Sequence, residues 1–133
     1  MQYLSKNEIE IMEIFWKEQR ALTGSEIVEL SINSSWKKSS IHILLNSLLE
    51  KDAIEVEAFV KHNKAYSRTF VPKITFEEYS VMQIENNKSF SMKSIPKIVS
   101  ALIDNQKTPE ANEKLREELL EIIKEKSSAK EDG

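Results

Sequence analysis

The chain has 133 residues, with 19 basic and 22 acidic side chains for a formal charge of −3, two Gly, three Pro and no Cys. This length supports one domain, or one domain with a short accessory region; a Cys-free chain excludes a disulfide scaffold, thiolate metal sites and a Cys nucleophile, and it fits a reducing compartment. The net charge argues against a uniformly basic coat for nucleic acid, since phosphate affinity comes from Lys and Arg. The sequence predicts neither a membrane span nor a signal peptide, so a folded cytoplasmic protein is expected.

So few glycines point to helices, because strand-rich folds need many tight turns. Ser5-Lys6-Asn7-Glu8 is a capping-box pattern, and Ile11, Met12, Phe15 and Trp16 follow at helical spacing. Thr23-Gly24-Ser25-Glu26 is a second such box, ahead of Ile27, Val28 and Leu30. After a loop at Asn33-Ser34-Ser35, the stripe Ile41, Leu44, Leu45 and Leu48 predicts a third helix from about Lys38 to Lys51. Period-two alternation over Ile54–Ala58 then predicts a strand, Lys61–Lys64 a hairpin turn, and Ala65–Val71 the returning strand, stopped by Pro72. Three helices followed by one hairpin outline a winged helix-turn-helix domain.

The remainder reads as helical again. Thr75-Phe76-Glu77-Glu78 opens a helix carrying Tyr79 and Met82, and Asn86–Ser94 is a polar joint. Ile95, Ile98, Val99, Leu102 and Ile103 form a stripe with Pro96 in its first turn; Thr108-Pro109-Glu110 starts a last helix lined by Leu115, Leu119, Ile122 and Ile123. The predicted fold is mainly α with a small antiparallel β hairpin, divided into a winged-helix domain over residues 1–74, a helical dimerisation region over 75–126 and a flexible tail over 127–133. About 55 residues of helix bury two apolar stripes poorly by themselves. A homodimer is therefore expected, with Tyr79, Ile98, Val99, Leu102, Leu115, Leu119, Ile122 and Ile123 in its seam.

Sorted by region, the charges change meaning. Residues 1–75 hold ten basic and ten acidic side chains, and residues 76–133 hold nine and twelve, so the deficit belongs to the helical third. No acid occurs from Leu30 to Leu49, where Lys37 and Lys38 stand at the start of the third helix. None occurs from Ala58 to Phe76, where Lys61, His62, Lys64 and Arg68 lie. A basic start to a recognition helix and a basic wing are where such a domain meets phosphate. With Ile41, Leu44, Leu45 and Leu48 turned inward, Ser39, Ser40, His42, Ile43, Asn46 and Ser47 are left for base edges: Asn for adenine, Ile for a thymine methyl. Arg68 alternates with Tyr66 and Phe70, so its stem is also a candidate for packing and its head for pairing with an acid. The two Trp are expected core anchors whose indoles need partners. Two isolated His do not make a metal site, and no Gly-rich phosphate loop, G-x-S-x-G or His-x-x-x-His occurs, so neither enzyme chemistry nor a cofactor is expected. The competing reading is a winged-helix module that binds a protein partner and no DNA, in keeping with an acidic total charge and a recognition face without Arg.

The ordered string Leu4-Ser5-x-x-Glu8-x-x-Ile11-Met12-x-x-x-Trp16 resembles the opening of the penicillinase and methicillin-resistance repressor family. The likeness continues through Trp36, Ile41, Leu44, Leu48, Lys51 and Ile54, and through Phe70-x-Pro72 with Phe76-Glu77-Glu78-Tyr79. It implies a homodimeric transcriptional repressor on a palindromic operator, with a winged-helix head and a helical dimerisation tail. It also implies contacts at Ser39, Ser40, His42 and Ile43, and, in antibiotic-resistance operons, inactivation by proteolysis triggered by a membrane sensor of β-lactams. The family's scissile bond aligns near Ser100-Ala101. The chain departs from the family pattern at Lys37 (usually Ser), Ser40 (usually Thr), His42 (Arg or Lys nearby) and Asp52 (usually Gly).

Overall fold

A computed structural model describes residues 3–62 and 65–132; the side chains of His62 and of residues 130–132 are outside that description, as is the whole of Lys64. The chain divides into two compact units, Met1–Gln83 and Ile84–Gly133.

In the first unit, helix α1 (Lys6–Glu18) begins at the expected capping box: Ser5 Oγ accepts the Glu8 N–H at 3.2 Å while Glu8 Oε1 accepts the Ser5 N–H at 2.7 Å. Its buried face is Ile11, Met12 and Phe15, each worth about 1.5–3 kcal/mol when taken fully out of water. A two-residue strand β1 (Leu22–Thr23) leads into helix α2 (Gly24–Leu30), whose Thr23–Glu26 box is likewise closed on both sides. The expected third helix is a 3-10 turn (Lys38–Ser40) running into helix α3 (Ile41–Glu50), with Ile41, Leu45 and Leu48 buried. Gly24 lies so close to α3 that a Cβ there would sit 3.3 Å from Leu45 Cδ1, which sets how tightly the two helices approach.

Helix α3 ends in a Schellman arrangement: the Asp52 N–H donates to Leu49 O at 3.1 Å and the Ala53 N–H to Leu48 O at 3.0 Å. Asp52 has φ 63°, the left-handed region that favours Gly. The Gly expected there by resemblance thus has a geometric reason, and this chain meets the requirement with Asp.

Strands β2 (Ile54–His62) and β3 (Ala65–Pro72) form the wing, and β1 pairs with the other edge of β3, giving the antiparallel order β1-β3-β2. Leu22 is opposite Phe70, so the base of the wing is a three-stranded sheet. A bulge lies between Val56 and Ala58. It reverses the alternation read from the sequence: Ile54 and Val56 share the core side with Phe70, but beyond the bulge Phe59 and Lys61 take that side instead of Ala58 and Val60. Glu57, the extra residue, accepts the Thr69 hydroxyl at 3.0 Å.

Helix α4 (Phe76–Glu85) is capped by Thr75 and Glu78 as expected, and most of it belongs to the first unit. Tyr79 is 3% exposed and belongs to the core of the first unit, beside Trp16 at 6.1 Å between ring centroids. Trp16 also meets Phe76 edge-on at 5.7 Å and donates its indole N–H to Ile74 O at 2.9 Å. Tyr79 is therefore removed from the dimer seam: aromatic burial against α1 has claimed it. The first unit accordingly extends to Gln83, past the boundary expected at residue 74.

The second unit contains helices α5 (Ser94–Asp104) and α6 (Pro109–Asp132). Thr108 Oγ1 accepts the Ala111 N–H at 3.1 Å, and Asn112 Nδ2 donates to Ile103 O at 2.8 Å across the connection. Helix α6 continues through the stretch expected as a flexible tail, as far as Asp132. None of the described side chains of this unit is buried.

Candidate nucleic-acid interface

Helix α3 is held from behind by its apolar face and by one polar clamp. Glu8 is 2% exposed, yet it is charged: its carboxylate accepts from Lys51 Nζ at 2.7 Å, from the Ser47 hydroxyl at 2.6 Å and from the Ser5 backbone. Burial pushes its pKa up, but these hydrogen bonds outweigh that effect and lower it from 4.5 to about 2. Ser47, expected among the base-reading residues, is thereby corrected: it is half-buried, and its hydroxyl is spent on Glu8.

What α3 leaves outside is a single stripe. Ser39, His42, Ile43 and Asn46 are spaced i, i+3, i+4, i+7 and all are exposed, Ile43 to 72%. Ser40 is half-buried between that stripe and the core. Lys37 and Lys38 are exposed at the head of the stripe, where Lys37 precedes the 3-10 turn in extended backbone. No described carboxylate pairs with either lysine. Glu50 closes the stripe at its far, C-terminal end.

Next to this stripe stands the wing. Lys61 and Arg68 are exposed, and neither meets a described carboxylate within ion-pair distance. Arg68 lies over the Phe70 ring at 5.1 Å, so its stem is packed as expected while its charge remains outside. His62 ends β2, and Lys64 lies outside the described residues. Lys73 differs: Asp52 takes its ammonium at 2.7 Å and raises its pKa, so it is not a free cation. A groove between α3 and the wing is lined by Ser25, His42, Leu45, Tyr66, Ser67 and Arg68.

Two exposed aromatics on the wing, Phe59 and Tyr66, each 67% exposed, were not among the residues singled out from the sequence. Only the bulge places Phe59 on the same side as Tyr66, and a bulge left no mark in the residue pattern.

In the second unit, Ile98, Val99, Leu115 and Leu119 are half-buried, whereas Leu102, Ile122 and Ile123 are exposed. Ser100 and Ala101 are exposed within α5, and Ala101 O accepts the Asn105 N–H at 3.0 Å. No helix of the described residues is long and apolar enough to cross a membrane, and they hold no cluster of three or more metal-ligating side chains.

This head has known counterparts. The chain is 29% identical over 84 residues to the penicillinase repressor of Bacillus licheniformis, a match spanning 63% of this chain and 60% of that protein's length. The sequence model of the penicillinase repressor family matches residues 4–125, nearly the whole chain and both of its units. The order of elements, the residues that cap and bury them and this match agree: the chain belongs to the penicillinase repressor family.

Proposed function

We propose that the chain is a homodimeric transcriptional repressor that binds double-stranded DNA at a palindromic operator. Helix α3 enters the major groove with Ser39, Ser40, His42, Ile43 and Asn46 toward the bases, and Lys37 and Lys38 meet phosphate at its start. Lys61, Arg68, His62 and Lys64 of the wing take the backbone alongside. The observation that carries this reading is the exposed Ser39–His42–Ile43–Asn46 stripe flanked by cations that no described acid neutralises. With no Arg on the stripe, bidentate guanine recognition falls to none of its members, and A·T-rich half-sites are the expected preference.

Dimerisation uses Ile98, Val99, Leu102, Leu115, Leu119, Ile122 and Ile123 of the second unit, an apolar set that one copy leaves partly or wholly in water. Two heads on one palindrome then act through effective concentration. A sensor-linked protease cutting at Ser100-Ala101 would release the operator by destroying this seam, and α5 must open first because its backbone there is hydrogen-bonded.

Fluorescence anisotropy with a labelled duplex from the gene's own promoter tests the proposal. Binding should be at least a hundredfold tighter than to random duplex at moderate salt, as specific complexes generally are. Equal affinity for the two duplexes would overturn it. Failure to bind any DNA at any salt, with recovery of a protein partner, would favour the interaction-module reading instead.

A further inference from the structure

An open cleft of about 340 Å³ lies between α1 and the loop that joins α2 to the 3-10 turn. Sites for small ligands are of this size. Its apolar lining is Ile14, Leu30, Ile32 and Trp36, and Ile32 is 84% exposed, more than any other large apolar side chain of the described residues. Glu10, Glu13 and Lys17 line the α1 side, at a spacing of i, i+3, i+7 that puts them on one helix face. Neither Glu13 nor Lys17 has an ion-pair partner among the described residues. Glu10 uses Oε2 to accept the Ser35 N–H and hydroxyl, at 3.2 and 2.9 Å.

The lining also holds a donor without an acceptor. The Trp16 indole donates to Ile74 O, but Trp36, only 5% exposed, buries its Nε1 with no hydrogen-bond partner among the described residues. A buried N–H in that state has lost its water and gained no bond in exchange. The hydroxyls lining the cleft are turned to carbonyls: Ser31 donates to Val28 O and Ser34 to Trp36 O.

We infer that this cleft binds a small organic cation with an apolar body and one hydrogen-bond acceptor. The body covers Ile14, Leu30 and Ile32, the cation lies beside Glu13 and Glu10, and the acceptor takes the Trp36 N–H. A purely apolar occupant would leave that N–H unpaired, and an anion would meet two carboxylates against one ammonium. None of the lining residues belongs to the stripe, the wing or the apolar set of the second unit, so the site is separate from DNA binding and dimerisation. It is nevertheless adjacent to the first: Trp36 directly precedes Lys37 and Lys38, so an occupant is placed to bear on the start of α3.

Tyramine, which joins an ammonium group to an aromatic ring and a phenolic oxygen, is the probe. In nuclear magnetic resonance spectra of the full chain at neutral pH, tyramine should shift the Trp36 indole N–H signal saturably and leave that of Trp16 in place. A dissociation constant of about 1 mM is expected for so small a molecule. Phenethylamine, which lacks the hydroxyl, should bind roughly tenfold more weakly because the Trp36 N–H stays unpaired. The hydroxyphenylpropanoate anion, in which carboxylate replaces ammonium, should not bind at the same concentrations. Glu13→Gln should weaken tyramine about threefold, and Lys17→Gln should strengthen it by a similar factor. Both positions are exposed, so each variant should keep the wild-type circular dichroism. A Trp36 signal that does not move at roughly ten times the expected dissociation constant would overturn the inference. So would equal affinity for either analogue, or unchanged affinity in both charge variants.

Discussion

Glu8 Oε1 and Lys51 Nζ meet at 2.7 Å, joining the first turn of α1 to the residue that ends α3. The same carboxyl group closes the α1 capping box and accepts the Ser47 hydroxyl. One buried charge therefore sets the start of one helix and the orientation of another, and the second helix is the one proposed to read DNA. Buried ion pairs of this kind cost much when one partner is removed, since the other charge is stranded.

The first prediction is a pH dependence. A carboxyl with a folded pKa near 2 and an ordinary value of 4.5 binds fewer protons folded than unfolded between those limits. Its contribution to stability is complete above pH 4.5 and is lost as pH falls toward 2. By linkage it amounts to about 3 kcal/mol at neutral pH. Urea unfolding of wild type and Glu8→Gln should differ by this order at pH 7, and the gap should narrow steadily below pH 4.5. A gap independent of pH would show that the substitution acts through packing and not through the charge.

A second prediction concerns Tyr79, whose hydroxyl is buried with no hydrogen-bond partner among the described residues. The ring is held by Trp16 and the core, so the oxygen brings a desolvation cost with no bond to offset it. Tyr79→Phe should stabilise the protein by about 1 kcal/mol in thermal or urea unfolding. A loss of stability would reveal an ordered water or another acceptor at that oxygen.

Tyr79 also shows what the residue pattern conveyed and what it did not. The helices of the head were legible because capping boxes at Ser5, Thr23 and Thr75 coincide with apolar stripes, and each box closes in the structure. The hairpin was legible from its alternation and from Pro72. β1 was not, because two residues carry no period; Leu22 is recognisable as a strand residue only through its partner Phe70. The allegiance of α4 was hidden for a related reason. An aromatic on a helix face declares that it will be buried, not against what, and Tyr79 found Trp16 of its own head. Ser47 likewise has the composition of a base-reading residue, and only the position of Glu8 across the helix pair removes it from the exposed stripe.

A third prediction follows from the left-handed backbone at Asp52, φ 63°. Gly adopts this conformation without the steric cost of a Cβ, roughly 1 kcal/mol or more for other residues, while Asp is one of the side chains that tolerate it. The ion pair to Lys73 is exposed and adds little. Asp52→Gly should therefore be as stable as wild type or slightly more so, and Asp52→Ala should fall below Asp52→Gly by about 1 kcal/mol. Equal stability of the two variants would mean that the turn relaxes its backbone when the carboxylate is removed.

The last prediction separates dimerisation from folding. Ile123 is 60% exposed on α6, so Ile123→Asp removes little from a single copy. Exposed positions of this kind normally change stability by no more than about 0.5 kcal/mol. In a seam between two copies, the same substitution buries a carboxylate without a partner, which is strongly unfavourable. Sedimentation should show the wild type as a dimer and Ile123→Asp shifted to monomer, with helical circular dichroism retained. Operator affinity should fall with it, because a single head loses the effective concentration supplied by its tethered twin. Half-site binding should change little, since α3 and the wing lie in the other unit. A variant that remained dimeric would move the seam away from Ile123, and a monomeric variant with full operator affinity would show that the two heads do not bind DNA together.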